Sequence, residues 1–109
     1  MNYNIDLQKI ADELEFDLED IEMLLEVFLE STKDSLSALK EAIDKDDLEL
    51  IFRSAHAIKG SAANLTLTEI SNLAKEIEYS AREKKAVNYV QKFENLKKSI
   101  ENIIIKNEF

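Results

Sequence analysis

Residues 18–44 read LEDIEMLLEVFLESTKDSLSALKEAID, and this stretch decides the fold class. Its apolar side chains recur at spacings of three and four, with Thr32 continuing the same register: Ile21, Leu24, Leu25, Phe28, Leu29, Leu36, Leu39 and Ile43. Such spacing places one apolar stripe along an α-helix. The stretch therefore predicts a long amphipathic helix that buries one face.

Four further segments, on either side of this stretch, have helical patterns. A short helix is predicted over 5–14, and a helix over 48–65 carries the apolar stripe Ile51, Ala55, Ile58, Ala62 and Leu65. Two more are predicted from Thr66 to about Ala81 and from about Ala86 to Lys106. Polar residues separate these segments, and each pattern has the period of a helix rather than of a strand.

Two helix starts are suggested by capping residues. Asp46 followed by Glu49 resembles a capping box, and either Asp46 or Asp47 could begin the third helix. Thr66 followed by Glu69 resembles a second capping box, which predicts that the fourth helix begins there.

Glycine and proline usage also indicates an all-α chain. The 109 residues include no proline and one glycine, Gly60, where average usage would give roughly eight glycines. Strands joined by tight turns need several residues with positive φ. We expect an all-helical chain with a few short loops not to need several such residues. The chain length suits one domain over residues 1–109.

The predicted architecture is an antiparallel up-down-up-down four-helix bundle with a short additional N-terminal helix. Four long helices joined by short connections must reverse direction at each connection. An extended coiled coil is the alternative, and the breaks at Asp46, Thr66 and Lys85 disfavour it.

The net charge, the termini and the absence of cysteine indicate which cellular location and which classes of partner to expect. A formal net charge of −9 argues against nucleic acid and against anionic membrane surfaces, so protein partners are expected. No apolar run is long enough for a membrane span, and the N-terminus lacks signal-peptide features. With no cysteine, a cytoplasmic location is expected. The starting Met1 and the compact ending favour a free-standing protein.

The candidate site is the segment Ala55-His56-Ala57-Ile58-Lys59-Gly60, which holds the only histidine and the only glycine. Projected on a helix whose core face carries Ile58, His56 faces water, with Lys59 and Gly60 as neighbours one turn later. A glycine inside a helix costs about 1 kcal/mol relative to alanine. Close packing or a bend could explain it, but Gly60 points away from the core. We therefore favour clearance for a partner that approaches His56.

His56-x-x-Lys59-Gly60-Ser61-Ala62-Ala63-Asn64-Leu65 resembles the signature of histidine-phosphotransfer (HPt) domains of multistep phosphorelays. The resemblance extends over most of the chain, including the long preceding helix and the segment Leu73-Ala74-x-x-Ile77-Glu78. One departure is Thr66, which stands where the family often has a glycine. We expect the Thr66 capping box to replace that glycine and leave the site intact.

The resemblance implies a phosphocarrier rather than an enzyme with kinase activity of its own. His56 would be the phosphoacceptor through Nε2, Lys59 would stabilise the phosphoryl group, and Gly60 would leave room for a receiver domain. The implied partners are the receiver domain of a response regulator and a hybrid sensor histidine kinase. No cofactor or metal is expected on this chain, because the receiver would contribute Mg²⁺.

A docking face is expected around His56, because antiparallel pairing brings the second helix alongside it. Small polar side chains and apolar or basic neighbours form the expected face: Phe28, Thr32, Ser35, Phe52, Arg53 and Ala63. For Phe28, partial burial in the bundle is the competing interpretation.

Three other functions compete. An enzyme is disfavoured, because the chain has no Gly-rich nucleotide loop, no nucleophile elbow and no paired Glu-x-x-His metal motif. A non-catalytic adaptor that binds a receiver or kinase without phosphotransfer is the main alternative. A dimeric phosphotransferase is the third, but four long helices in one chain favour a monomer.

Overall fold

The computed structural model describes the backbone of residues 7–106 and the side chains of residues 7–103. It contains five helices, and within that range no strand: α1 (Leu7–Leu14), α2 (Leu18–Asp44), α3 (Leu48–Asn64), α4 (Thr68–Arg82) and α5 (Tyr89–Lys106). The all-α prediction is confirmed. Helix α2 has the bounds predicted from its apolar stripe.

The four long helices pack as a ring in which α3 contacts α2 and α4, while α5 contacts α4 and α2. Helix α1 packs on α2. These neighbours, and the short connections between them, are consistent with the up-down-up-down order. The bundle measures 42 × 24 × 23 Å.

The core is built mainly from the predicted apolar stripes, although the α2 stripe is not buried throughout: its member Leu24 is 39% exposed. On α3, Ile51, Ala55, Ile58 and Ala62 are at most 1% exposed. They meet fully buried side chains of the other helices, among them Leu39, Ile70, Ile77, Leu96 and Ile103. Burying an aliphatic side chain of this size contributes roughly 1.5–3 kcal/mol. This burial fixes the rotation of α3 and turns the positions between the stripe residues outward.

Each of the helices α1 to α4 ends in the same way, with one residue in the left-handed conformation. These residues are Glu15, Asp46, Thr66 and Lys84, with φ between 54° and 58°. After α3, the Leu67 amide donates to the Ala62 carbonyl at 2.9 Å and the Thr66 amide donates to the Ala63 carbonyl at 3.0 Å. This pair of bonds defines a Schellman motif. The expectation that the short helix connections do not need several residues with positive φ is therefore wrong.

One of the two predicted helix starts is confirmed and the other is wrong. The Asp47 carboxylate accepts a hydrogen bond from the Leu50 amide at 3.1 Å, so Asp47 begins α3 while Asp46 closes α2. The Thr66 capping box is wrong, because Thr66 occupies the left-handed position after α3. Helix α4 begins two residues later, at Thr68.

Helix α5 starts later than predicted. Helix α5 begins at Tyr89 rather than Ala86, because the Asn88 side chain caps it by accepting from the Gln91 amide at 3.0 Å. Helix α1 is described from Leu7, and the predicted start at Ile5 lies outside the described residues.

Thr66→Gly should raise the free energy of unfolding by about 1 kcal/mol, because a β-branched residue is strained at positive φ and glycine is not. Urea unfolding should show a higher midpoint with an unchanged slope. Asp46→Gly is the control and should gain less, since aspartate tolerates the left-handed conformation better than threonine. A lower midpoint for Thr66→Gly would contradict the account of this turn.

Candidate functional site

His56 lies on the outer face of α3, with its side chain 60% exposed. Phe52, one turn earlier, stacks on it with ring centroids 5.9 Å apart and an interplanar angle of 18°. The expectation that this imidazole faces water is confirmed. The ring is accessible from outside and supported by an aromatic neighbour on its own helix.

Glu78 of α4 is the central residue of the candidate site, although the sequence pattern predicted no role for it beyond its place in the segment Leu73-Ala74-x-x-Ile77-Glu78. Its carboxylate is nearly buried, with 9% of the side chain exposed. Oε2 is hydrogen-bonded to His56 Nδ1, and Oε1 accepts a hydrogen bond from Lys59 Nζ at 2.7 Å. One carboxylate on α4 thus holds two of the predicted site residues of α3.

Glu78 is ionised at neutral pH. Burial alone raises the pKa of the Glu78 carboxyl, but the hydrogen bonds from Lys59 and His56 and their charges outweigh burial and hold that pKa below its ordinary value. An ionised carboxylate only accepts hydrogen bonds. His56 Nδ1 must therefore donate, and a neutral imidazole then has its lone pair on Nε2.

The packing of α3 on α4 brings these side chains together. Ala55 and Ala62 of α3 and Ala74 of α4 are completely buried, and side chains this small let the two helices approach closely. The Ser71 hydroxyl donates to the backbone carbonyl of Lys59 at 3.3 Å, which ties α4 to α3 beside the site. Lys59 is 29% exposed and lies partly covered between the helices rather than freely in solvent.

Gly60 is exposed, and a Cβ built at this position would meet no atom within 4 Å. Close packing within the described part of the chain therefore does not explain why this position is glycine. The helix also continues through it to Asn64.

The residues of the expected docking face differ in their exposure to solvent. Arg53 and Ala63 are exposed, and Ser35 and Phe52 are half-buried. Arg53 pairs with Glu49 on the surface at 2.9 Å.

For two of the expected docking residues the expectation is wrong, because both are buried. Phe28 is 4% exposed and Thr32 is 2% exposed, so neither is available to a partner. Both lie on the core stripe of α2, and the Thr32 hydroxyl is satisfied by donating to the Phe28 carbonyl at 2.5 Å. For Phe28, the competing interpretation of burial in the bundle is the one that holds.

The side chains of residues 7–103 form no cluster of three or more histidine, cysteine, aspartate or glutamate groups that could hold a metal ion. No helix within residues 7–106 is long and apolar enough to cross a membrane.

A family model described as the Hpt domain matches residues 23–104, which includes all of α3 and α4 and therefore the whole site. The chain belongs to the Hpt domain family. This Hpt chain is similar in structure to histidine-containing phosphotransfer protein B (HptB) from Pseudomonas aeruginosa PAO1, with a TM-score of 0.78. The two are 23% identical, and the match covers 94% of this chain and 88% of the other, so the likeness concerns the fold. No curated protein matches the sequence.

Gly60→Ala should raise the free energy of unfolding by about 1 kcal/mol, because alanine favours the helix and its Cβ meets no neighbour. Urea unfolding of the isolated protein measures this. Ala57→Gly, at an exposed position of the same helix, is the matched control and should lower stability by a similar amount. A destabilised Gly60→Ala would indicate that the backbone at residue 60 needs glycine for the fold itself.

Proposed function

We propose that this Hpt chain is a histidine phosphocarrier that relays a phosphoryl group between receiver-domain aspartates, with His56 as the phosphoacceptor. The observation that carries the proposal is the hydrogen bond between His56 Nδ1 and the buried carboxylate of Glu78. It leaves the lone pair on Nε2 of an exposed ring, which is what a nucleophile needs. Membership of the Hpt family supports the same role.

In the proposed step, the Nε2 lone pair attacks the phosphorus of an aspartyl phosphate on a receiver domain. The N–P bond forms as the P–O bond to the aspartate breaks, and the aspartate carboxylate leaves. The proton on Nδ1 stays in place, so the ring gains positive charge. Glu78 is already ionised and nearly buried, so its carboxylate stabilises that charge without having to move. The reverse step delivers the phosphoryl group to a second receiver.

Lys59 is proposed to neutralise the phosphoryl oxygens. It follows His56 by three residues, so the two side chains are neighbours on the helix surface. In the free protein its ammonium group is held by Glu78 at 2.7 Å. A phosphoryl group on His56 would offer the same ammonium a second anion, and the long flexible side chain can reach it.

The proposed partners are the receiver domain of a response regulator, as acceptor or donor, and a hybrid sensor histidine kinase upstream. The receiver is expected to bring the Mg²⁺, and the chain has no kinase activity in this proposal. Gly60 provides clearance for the receiver next to His56. With Phe28 buried, Leu24 and Val27 of α2 are proposed as the apolar contacts, since they are 39% and 61% exposed.

Incubation with a phosphorylated, radiolabelled receiver should give wild-type protein an acid-labile, alkali-stable phosphoadduct, and His56→Gln should give none. Lys59→Ala should acquire label roughly tenfold more slowly, because it loses one charge-assisted contact to the phosphoryl group. Circular dichroism should show unchanged helicity in both variants. Equal labelling of His56→Gln would refute the proposal. Binding to receivers without transfer to the wild type would favour the adaptor alternative.

Two substitutions of Glu78 should distinguish the effect of its negative charge from its effect on which imidazole nitrogen of His56 carries the proton. Glu78→Gln keeps an acceptor for Nδ1–H but loses the negative charge, so phosphotransfer should slow by roughly tenfold. Glu78→Ala loses both and should be slower still. The ¹⁵N chemical shifts of the imidazole should report a fixed Nδ1–H tautomer in wild type and a mixture in Glu78→Ala. An unchanged tautomer in Glu78→Ala would mean that Glu78 is merely structural.

A further inference from the structure

A second surface, which we call the α2/α5 groove, lies between α2 and α5 and has a volume of about 370 Å³. Its floor is apolar and is formed by two side chains from each helix: Leu29, Leu36, Phe93 and Ile100. Lysines line its rim, with Lys33 and Lys40 on α2 and Lys97 on α5.

The charge of this groove is opposite to that of the whole chain. The chain has 14 lysines and arginines against 23 aspartates and glutamates, yet the groove has three lysines and one acid, Glu101. Among the described side chains, Lys33 and Lys97 make no ion pair, although Glu101 lies one turn after Lys97. Lys40 has only a long contact with Asp44, at 3.8 Å and with both side chains 66% exposed. Exposed pairs of that kind are weak.

We propose that the α2/α5 groove docks an acidic amphipathic helix of a partner protein. An apolar floor between two helices accepts side chains at spacings of three, four and seven residues from a third helix. Lys33 and Lys40 are seven residues apart, about 10 Å along α2, so they match carboxylates two turns apart on such a helix. The ammonium groups of Lys33 and Lys97, which make no ion pair among the described side chains, and that of Lys40, whose pair with Asp44 is long and exposed, supply the complementary charge. An acidic partner would be repelled by most of the remaining surface.

The α2/α5 groove is separate from His56. In the ring of four helices, the α2/α5 pair lies opposite the α3/α4 pair that holds His56 and Glu78. A helix bound in the groove would therefore leave His56 open to a second protein. The inference does not depend on phosphotransfer, because it rests only on the shape and charge of this groove.

A pair of synthetic peptides tests the proposal. The first is a 15-residue helical peptide with leucines at positions i, i+3, i+4 and i+7 and glutamates on both flanks; the second replaces each glutamate by lysine. Titration of ¹⁵N-labelled full-length protein should move the amide signals of residues 29–40 and 93–101 with the glutamate peptide only. Binding should weaken as salt increases, because exposed charges carry the selectivity.

Charge reversal provides the matched variants. Lys33→Glu combined with Lys97→Glu should weaken binding of the glutamate peptide by at least about tenfold, since two attractions become repulsions. Lys75→Glu combined with Lys92→Glu changes the net charge by the same amount at positions that do not line the groove, and should change binding less than about twofold.

Three results would overturn the proposal. They are equal binding of the lysine peptide, amide shifts confined to residues outside the groove, and no binding of the glutamate peptide at millimolar concentration. A dimer mass in solution, with groove signals that move with protein concentration alone, would assign the groove to a second copy of this chain instead. None of these results bears on the labelling of His56.

Discussion

The carboxylate of Glu78 is the group on which the site depends. It is nearly buried, and a buried carboxylate stays ionised only when its oxygens are satisfied by donors. His56 supplies one donor and Lys59 supplies the other, so the two side chains are held in place because Glu78 needs them. The proton on Nδ1, the free lone pair on Nε2 and the position of the lysine all follow from this one requirement.

The packing of the core places both donors within reach of the Glu78 carboxylate. Buried alanines on α3 and α4 keep the two helices close, and the hydrogen bond from Ser71 to the Lys59 carbonyl sets their alignment beside the site. The stripe through Ile51 and Ile58 rotates α3 so that His56 faces outward while Lys59 lies at the edge of the α3/α4 contact. Small side chains inside the bundle therefore determine the geometry of a site on its surface.

Much of this arrangement follows from periodicity. The bounds of α2, the stripe of α3 and the outward direction of His56 depend on a spacing of 3.6 residues, which is a local property of the sequence. The contacts of Glu78 with His56 and Lys59 depend on the distance between α3 and α4, and no local sequence pattern predicts that distance. One signal for it existed, because Glu78 lies between Ile77 and Ala81 and one turn after Ala74, on the face of α4 that packs inward. An acid at such a position needs a partner on the neighbouring helix.

At the helix ends, the backbone conformation does not depend on which residue is present. Glutamate, aspartate, threonine and lysine all occupy the same left-handed position after a helix, because the hydrogen bonds of the Schellman motif fix the backbone there. A change of residue at these positions alters the charge at the ends of the bundle without changing the register of the helices. The charge at the ends of the bundle can therefore be changed by substitution while the histidine stays in the same place.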